Sequence, residues 1–225
     1  MKRFHASACA AYLGVMWTAT AESHVFTDTS GRKVTAELLS VSEESIRIQR
    51  NDGKIFTIAI DTLIEDDRDY VEEWNDERTE EAEREHSEAE AARLAIEKRA
   101  KVGEFCTAKI GVKVGNGECW TLADEAYKSC GARRPGGDLR VWGREIDLKK
   151  EELEPGDVVE FRTAAIAGYG TSGPEHTAVV VKGGRRGRAT IAEQNWGGNK
   201  TVRTVEIDLR KVDSGKVMVY RLEKG

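Results

Sequence analysis

Residues 115–131 read GNGECWTLADEAYKSCG, and this stretch decides the fold. Gly115, Asn116 and Gly117 form a turn-rich approach, and Cys119 stands at the head of a helical pattern. Leu122, Ala123, Ala126 and Tyr127 recur at helical spacing until Gly131 supplies a stop. A cysteine at the start of a helix stands where the partial positive charge of the unpaired amides helps to ionise it, and an imidazolium nearby adds to the effect. Chemistry is therefore predicted at Cys119 as well as a helix.

Working outward toward the C-terminus, EPGDVVEF (154–161), HTAVVVKG (176–183), ATIAEQNW (189–196) and KVMVYRL (216–222) read as strands separated by glycine-rich turns. The predicted architecture is α+β, a helix packed on an antiparallel sheet. His176, at the head of its strand after AGYGTSGPE, is the base candidate, because His5, His24 and His86 all lie outside this segment. Strand alternation puts Glu193 and Asn195 on one face and Gln194 on the other, so either Glu193 or Asn195 suits the role of holding the imidazole. The oxyanion would be met by the Cys119 amide, with Asn116 as a side-chain donor. Trp120 and Trp196 are expected to pack the site, with substrate binding as the alternative. Nucleophile, base and orienter are then all present.

Working outward the other way, residues 66–101 contain no glycine or proline and are rich in Glu, Ala and Arg, the composition of a solvated helix. A coiled-coil dimer is the alternative, though no run of apolar heptads supports it. Between His24 and Leu63, alternating Val34/Ala36/Leu38, Ile46/Ile48 and Phe56/Ile58/Ile60 predict a small curled sheet of five strands. At the start, Lys2 and Arg3, the apolar run Ala6–Trp17 and the small residues Ala19 and Ala21 have the order of a signal peptide cleaved after Ala21. The expected organisation is a signal peptide (1–21), an SH3-like unit (22–65), a charged helical linker (66–103) and a cysteine hydrolase domain (104–225), in an exported, periplasmic or extracellular protein without a further transmembrane segment.

The formal charge of −5 becomes −7 once Lys2 and Arg3 are gone. From Phe105 onward the balance reverses, with 21 Lys and Arg against 17 Asp and Glu. No basic stripe interleaved with aromatics predicts nucleic-acid binding. Export would leave Cys106, Cys119 and Cys130, an odd number; pairing Cys106 with Cys130 would free Cys119. The cysteine spacings lack a CxxC pair, so no metal and no cofactor are expected.

The motifs GECW, EPGDVVEF, HTAVV and EQNW resemble, in order, those of papain-like CHAP amidohydrolases and peptidases within the NlpC-like class, which cut peptidoglycan peptides. VGNGECW, VWG, HTAVV and EQN are also similar to the cysteine-proteinase-fold domain of fungal actin-patch proteins. The resemblance covers about 115 residues and implies Cys119 as nucleophile, His176 as base, and Glu193 with Asn195 as orienters. CHAP enzymes commonly carry Thr between Cys and Trp; this chain does not. FTDTSGRKVTAELLSV, RNDGKIFTIAIDTL and EDDRDYVEEW resemble the Sla-one homology domain, an SH3-like barrel, which implies a protein-contact module. Two functions are implied: a cysteine hydrolase acting on an amide or peptide bond, with a peptide or peptidoglycan as substrate, or a non-catalytic adaptor that uses both modules for binding.

Overall fold

The computed structural model describes residues 22–135 and 140–223, so the expected signal peptide lies outside the described residues. The described residues form two compact units, divided between residues 84 and 85 within one long helix.

In the first unit, β1 (Ser23–Thr27), β2 (Lys33–Val41), β3 (Ser45–Arg50) and β4 (Ile55–Ala59) form an antiparallel meander in sequence order. Alternation turns Phe26, Ala36, Leu38, Ile46 and Ile48 inward, where Leu63 and Val71 close the core. Four strands are present, one fewer than predicted. After β4 the chain closes a 3-10 turn, with the Leu63 amide donating to the Ile60 carbonyl, and Leu63 then makes only an isolated bridge to Asp28. His24 lies within β1. Its ring stacks on Tyr70 at 3.8 Å, and its Nε2 lies 2.6 Å from the buried Asp67 carboxylate.

Helix α1 (Glu65–Ala108) extends beyond the predicted linker and carries Val102 and Cys106 into the core of the second unit. Helix α2 (Cys119–Ser129) lies on a sheet built from β5 (Arg144–Glu145), β6 (Val158–Ile166), β7 (Gly170–Thr171), β8 (His176–Lys182), β9 (Arg188–Glu193), β10 (Arg203–Asp208) and β11 (Val212–Arg221). The order is β10-β9-β8-β6-β11-β5, with β7 on β6, and every pairing is antiparallel. The fold is α+β.

Strand alternation gives this sheet two apolar faces. Val158, Val179, Ala192, Met218 and Tyr220 meet Leu122, Ala123, Ala126 and Tyr127 of α2. Val159, Phe161, Ala178, Val180, Ile191 and Val219 form the opposite core. Each such large side chain contributes about 1.5–3 kcal/mol on full burial. The EPGD turn joins this core to α1: Gly156 has φ +89°, and a Cβ there would lie 2.2 Å from the Arg99 carbonyl oxygen. Asp157, fully buried, accepts from Arg221 through two bonds of 2.9 and 2.8 Å and from the Glu154 amide at 2.8 Å.

Cys106 and Cys130 do not pair. Cys106 faces the core from α1, where burial pushes its thiol up to about 12, and Cys130 follows α2 with its thiol donating to the Tyr127 carbonyl at 3.3 Å. Among the described residues, no helix is long and apolar enough to cross a membrane.

Candidate active site

Cys119 is the first residue of α2, His176 the first of β8 and Glu193 the last of β9. β8 and β9 are neighbours, with Ala178 opposite Glu193, so alternation sets His176 and Glu193 diagonally on one face. His176 Nε2 lies 2.8 Å from Glu193 Oε2. The Cys119 thiol is coupled electrostatically to the His176 ring, and the backbone amide of Thr177 also acts on it. With Nε2 engaged by Glu193, Nδ1 is the ring nitrogen left for sulfur.

The charges reinforce one another. Burial raises the Cys119 thiol, but the hydrogen bond and positive charge of His176, together with Thr177, outweigh it and leave the thiol below its ordinary value. Burial depresses His176; Cys119 and Glu193 reverse this and lift it to about 9. Glu193 is pushed up by burial and pulled below the ordinary carboxylate value by His176, Tyr169 and Arg203. Each member of the line is thus shifted toward its charged form: thiolate, imidazolium and carboxylate.

Of the two orienter candidates, Glu193 is the one hydrogen-bonded to the imidazole. β9 ends at Glu193, and Asn195 has turned into the left-handed region at φ +64°, so strict alternation does not reach it. Its Nδ2 donates to Glu118 Oε2 at 2.9 Å instead. Asn116 accepts at Oδ1 from the Glu118 amide at 2.9 Å, which shapes the turn before α2; this bond does not engage its Nδ2, the group that would donate to an oxyanion. Trp196 does pack the site, with its ring 5.2 Å from that of His176 and 4.3 Å from that of Tyr169. Trp120 does not; it is 42% exposed, with the Arg134 guanidinium 6.0 Å from its ring. A residue that comes after the first position of a helix need not share that position's direction.

Further participants carry no role in the sequence reading: Arg203 and Tyr169 lie outside the motifs that mark the site, and Glu160 and Gln194 lie within them. Arg203 donates to Glu193 Oε1 at 2.9 and 2.7 Å from directly opposite on β10. Tyr169, in the β6–β7 turn, donates its hydroxyl to Glu193 Oε2. Glu160 accepts from Trp142 Nε1 at 2.6 Å and from Thr177 Oγ1 at 2.8 Å, holding the residue that meets the sulfur. Gln194, fully buried, accepts from the Val114 amide and donates to the Val114 carbonyl, the Glu118 carbonyl and Thr121 Oγ1, all within 2.8–3.1 Å. Gly115 lies inside this loop at φ +57°, and a Cβ there would press on Thr121 at 3.0 Å. Among the described residues, no group of three or more His, Cys, Asp or Glu is placed to hold a metal ion.

Tyr169 and His176 share one oxygen of Glu193, so they compete for its charge. Tyr169→Phe is expected to raise the titration midpoint of His176 by about half a unit, since one hydrogen bond's worth of charge returns to the imidazolium. Ring NMR shifts followed against pH measure it; an unmoved or lowered midpoint contradicts the competition.

A cysteine at a helix start, a histidine on the first sheet strand beside it and a carboxylate on the next define a cysteine-proteinase fold of the papain-like class. The chain belongs to the AIM3/BBC1 cysteine proteinase-fold domain family, which matches residues 78–224. Residues 18–79 match SLA1 homology domain 1. A curated relative, "Altered inheritance of mitochondria protein 3" of Debaryomyces hansenii, is 32% identical over 142 residues; the match takes in 53% of this chain and only 15% of that protein's length. Among solved structures, that of Ly7917 is 20% identical with a TM-score of 0.36, covering 55% of this chain and 62% of that one. An NlpC/P60 family protein from Bacillus cereus ATCC 10987 is 12% identical with a TM-score of 0.35, covering 89% and 61%. The expectation of an exported, periplasmic or extracellular protein is overturned by these matches, the SLA1 homology domain and the Debaryomyces hansenii relative.

Proposed function

We propose that the chain acts on protein partners and that its papain-like domain hydrolyses an amide or peptide bond through Cys119. The observation that carries this reading is the polarised line from the Cys119 thiol through His176 to Glu193 Oε2. In the first step the thiolate adds to the carbonyl carbon, and the oxygen's developing charge meets the Cys119 amide at the start of α2. His176 then gives its proton to the departing amine, leaving a thioester. Neutral His176 next takes a proton from water, the hydroxide adds to the thioester, and the thiolate leaves with release of the acid. Glu193 holds the ring and favours its charged form throughout. The case for peptidoglycan as substrate rests on export and loses its footing with it.

Turnover should rise as pH climbs through the lowered pKa of Cys119. It should fall as pH passes about 9, where His176 loses the proton needed by the leaving amine. A fluorogenic peptide assay across pH 5–11 reads both limbs, and activity still climbing above pH 10 contradicts the assignment. The direct test incubates the full chain with peptide-amide libraries and with a peptidyl chloromethyl ketone, using Cys119→Ala as the blank. No cleavage together with no labelling of Cys119 would sink the hydrolase reading.

A second reading is that the domain binds without cutting. Family membership favours it: the AIM3/BBC1 domain and the SLA1 homology domain lend a protein-contact role more support than they lend hydrolysis. A thiol shifted toward its ionised form, with its base and carboxylate, is the feature for which binding alone has no use. Under this reading Cys119→Ala leaves the affinity for a partner peptide unchanged, and isothermal calorimetry on the full chain decides the matter.

A further inference from the structure

The cleft around Cys119 and His176 has a volume of about 670 Å³, and its charged lining is lopsided. In the ion-pair state the thiolate and the imidazolium cancel. The remaining charged residues of the lining are Glu118 and Glu175, both acidic. Each stands immediately before a member of the pair, Glu118 before Cys119 and Glu175 before His176. Both line the same cleft as Cys119 and His176, which puts them in the surroundings of the reacting pair.

The cations that accompany them are Lys200, 3.2 Å from Glu118, and Arg140 on Glu175, and neither lines the cleft. The side chains of all four are 42–49% exposed. Exposed ion pairs of this kind are weak and readily exchange partners. The lining also includes Trp196, whose ring already has the Arg203 guanidinium 5.8 Å from its centroid, the kind of contact an aromatic ring makes with a cation.

We propose that this cleft selects a cationic ligand, a peptide carrying Lys or Arg within a residue or so of the position facing Cys119, through Glu118 and Glu175. The proposal rests on the cysteine site described above, and holds whether that site cuts the peptide or only binds it. Acidic peptides are disfavoured by the same two carboxylates.

The test uses the sulfur itself as a probe and needs no turnover. Full-length protein is treated with a cationic methanethiosulfonate bearing trimethylammonium and with an anionic one bearing sulfonate. In each case the thiolate attacks the reagent sulfur, a mixed disulfide forms and methanesulfinate leaves. The rate is followed at Cys119 by peptide mapping. The expected cation-to-anion rate ratio is about tenfold above that of a free thiol, shrinks as salt is added, and falls toward the free-thiol value in Glu118→Gln/Glu175→Gln. A wild-type ratio equal to or below that of the free thiol overturns the proposal, whatever the variant does. A second arm measures binding of Lys-containing and Glu-containing versions of one peptide to Cys119→Ala; equal affinities or a preference for Glu also overturns it. If no peptide is cleaved while both preferences hold, hydrolysis fails and the cationic selectivity stands.

Discussion

Glutamine in place of Glu193 is expected to slow alkylation of Cys119 at pH 7 by roughly one to two orders of magnitude. The amide keeps the volume of the carboxylate and removes its charge. His176 is 4% exposed, and burial alone drives it toward the neutral form, so its elevation to about 9 depends on Glu193 together with Cys119. Without Glu193 the imidazole becomes largely neutral at pH 7. The thiol then loses the charge that offsets its own burial and returns toward, or above, the ordinary thiol range. Iodoacetamide rates measured between pH 5 and 10 resolve the change, because the midpoint of the profile should move upward while the high-pH plateau stays near that of the wild type. A profile that does not move would mean that Glu193 is only a packing residue.

Asp157→Ala is expected to cost about 3–5 kcal/mol of stability, and the reason lies in what it leaves behind. Arg221, itself buried, would keep its contacts with the part-exposed Glu151 and Glu154 and lose its two-bond partner in the interior. Burial raises the Asp157 carboxyl, while two close bonds from Arg221 oppose that rise; the two-bond geometry is that of an ionised pair. Denaturant unfolding monitored by tryptophan fluorescence gives the loss. Replacing both partners with apolar residues, Asp157→Leu with Arg221→Met, should recover much of it, since no charge is then stranded. A single-variant loss below about 1 kcal/mol would show that water reaches Arg221 and satisfies it.

How much of this is legible in the sequence depends on the range of each interaction. Cys119 at a helix start, and His176 and Glu193 on strands, follow from local periodicity, and the structure brings these three together. The choice between Glu193 and Asn195 cannot be made locally, because it turns on where β9 ends and the backbone reverses. Arg203 is invisible for a different reason: RTVEID is not among the predicted strands, and only its pairing with β9 sets Arg203 against Glu193. Tyr169 sits in a glycine-rich turn that reads as a spacer. Trp120 is a neighbour of Cys119 in sequence and not in the direction of its side chain, so adjacency to the nucleophile misleads. The small sheet lacks its fifth strand where the Ile60–Thr62 turn takes up residues whose alternation continues the pattern.

Glu193 and Gln194 are consecutive and project to opposite sides of the strand's end. One grips the imidazole; the other grips the loop that presents the sulfur. A slip of β9 by a single residue would therefore exchange an acid for an amide at the ring and an amide for an acid beneath the loop in the same event. The nucleophile and its base thus share a common reference point two residues long, and the site is expected to be lost as a whole, with no graded intermediate in which one half still works.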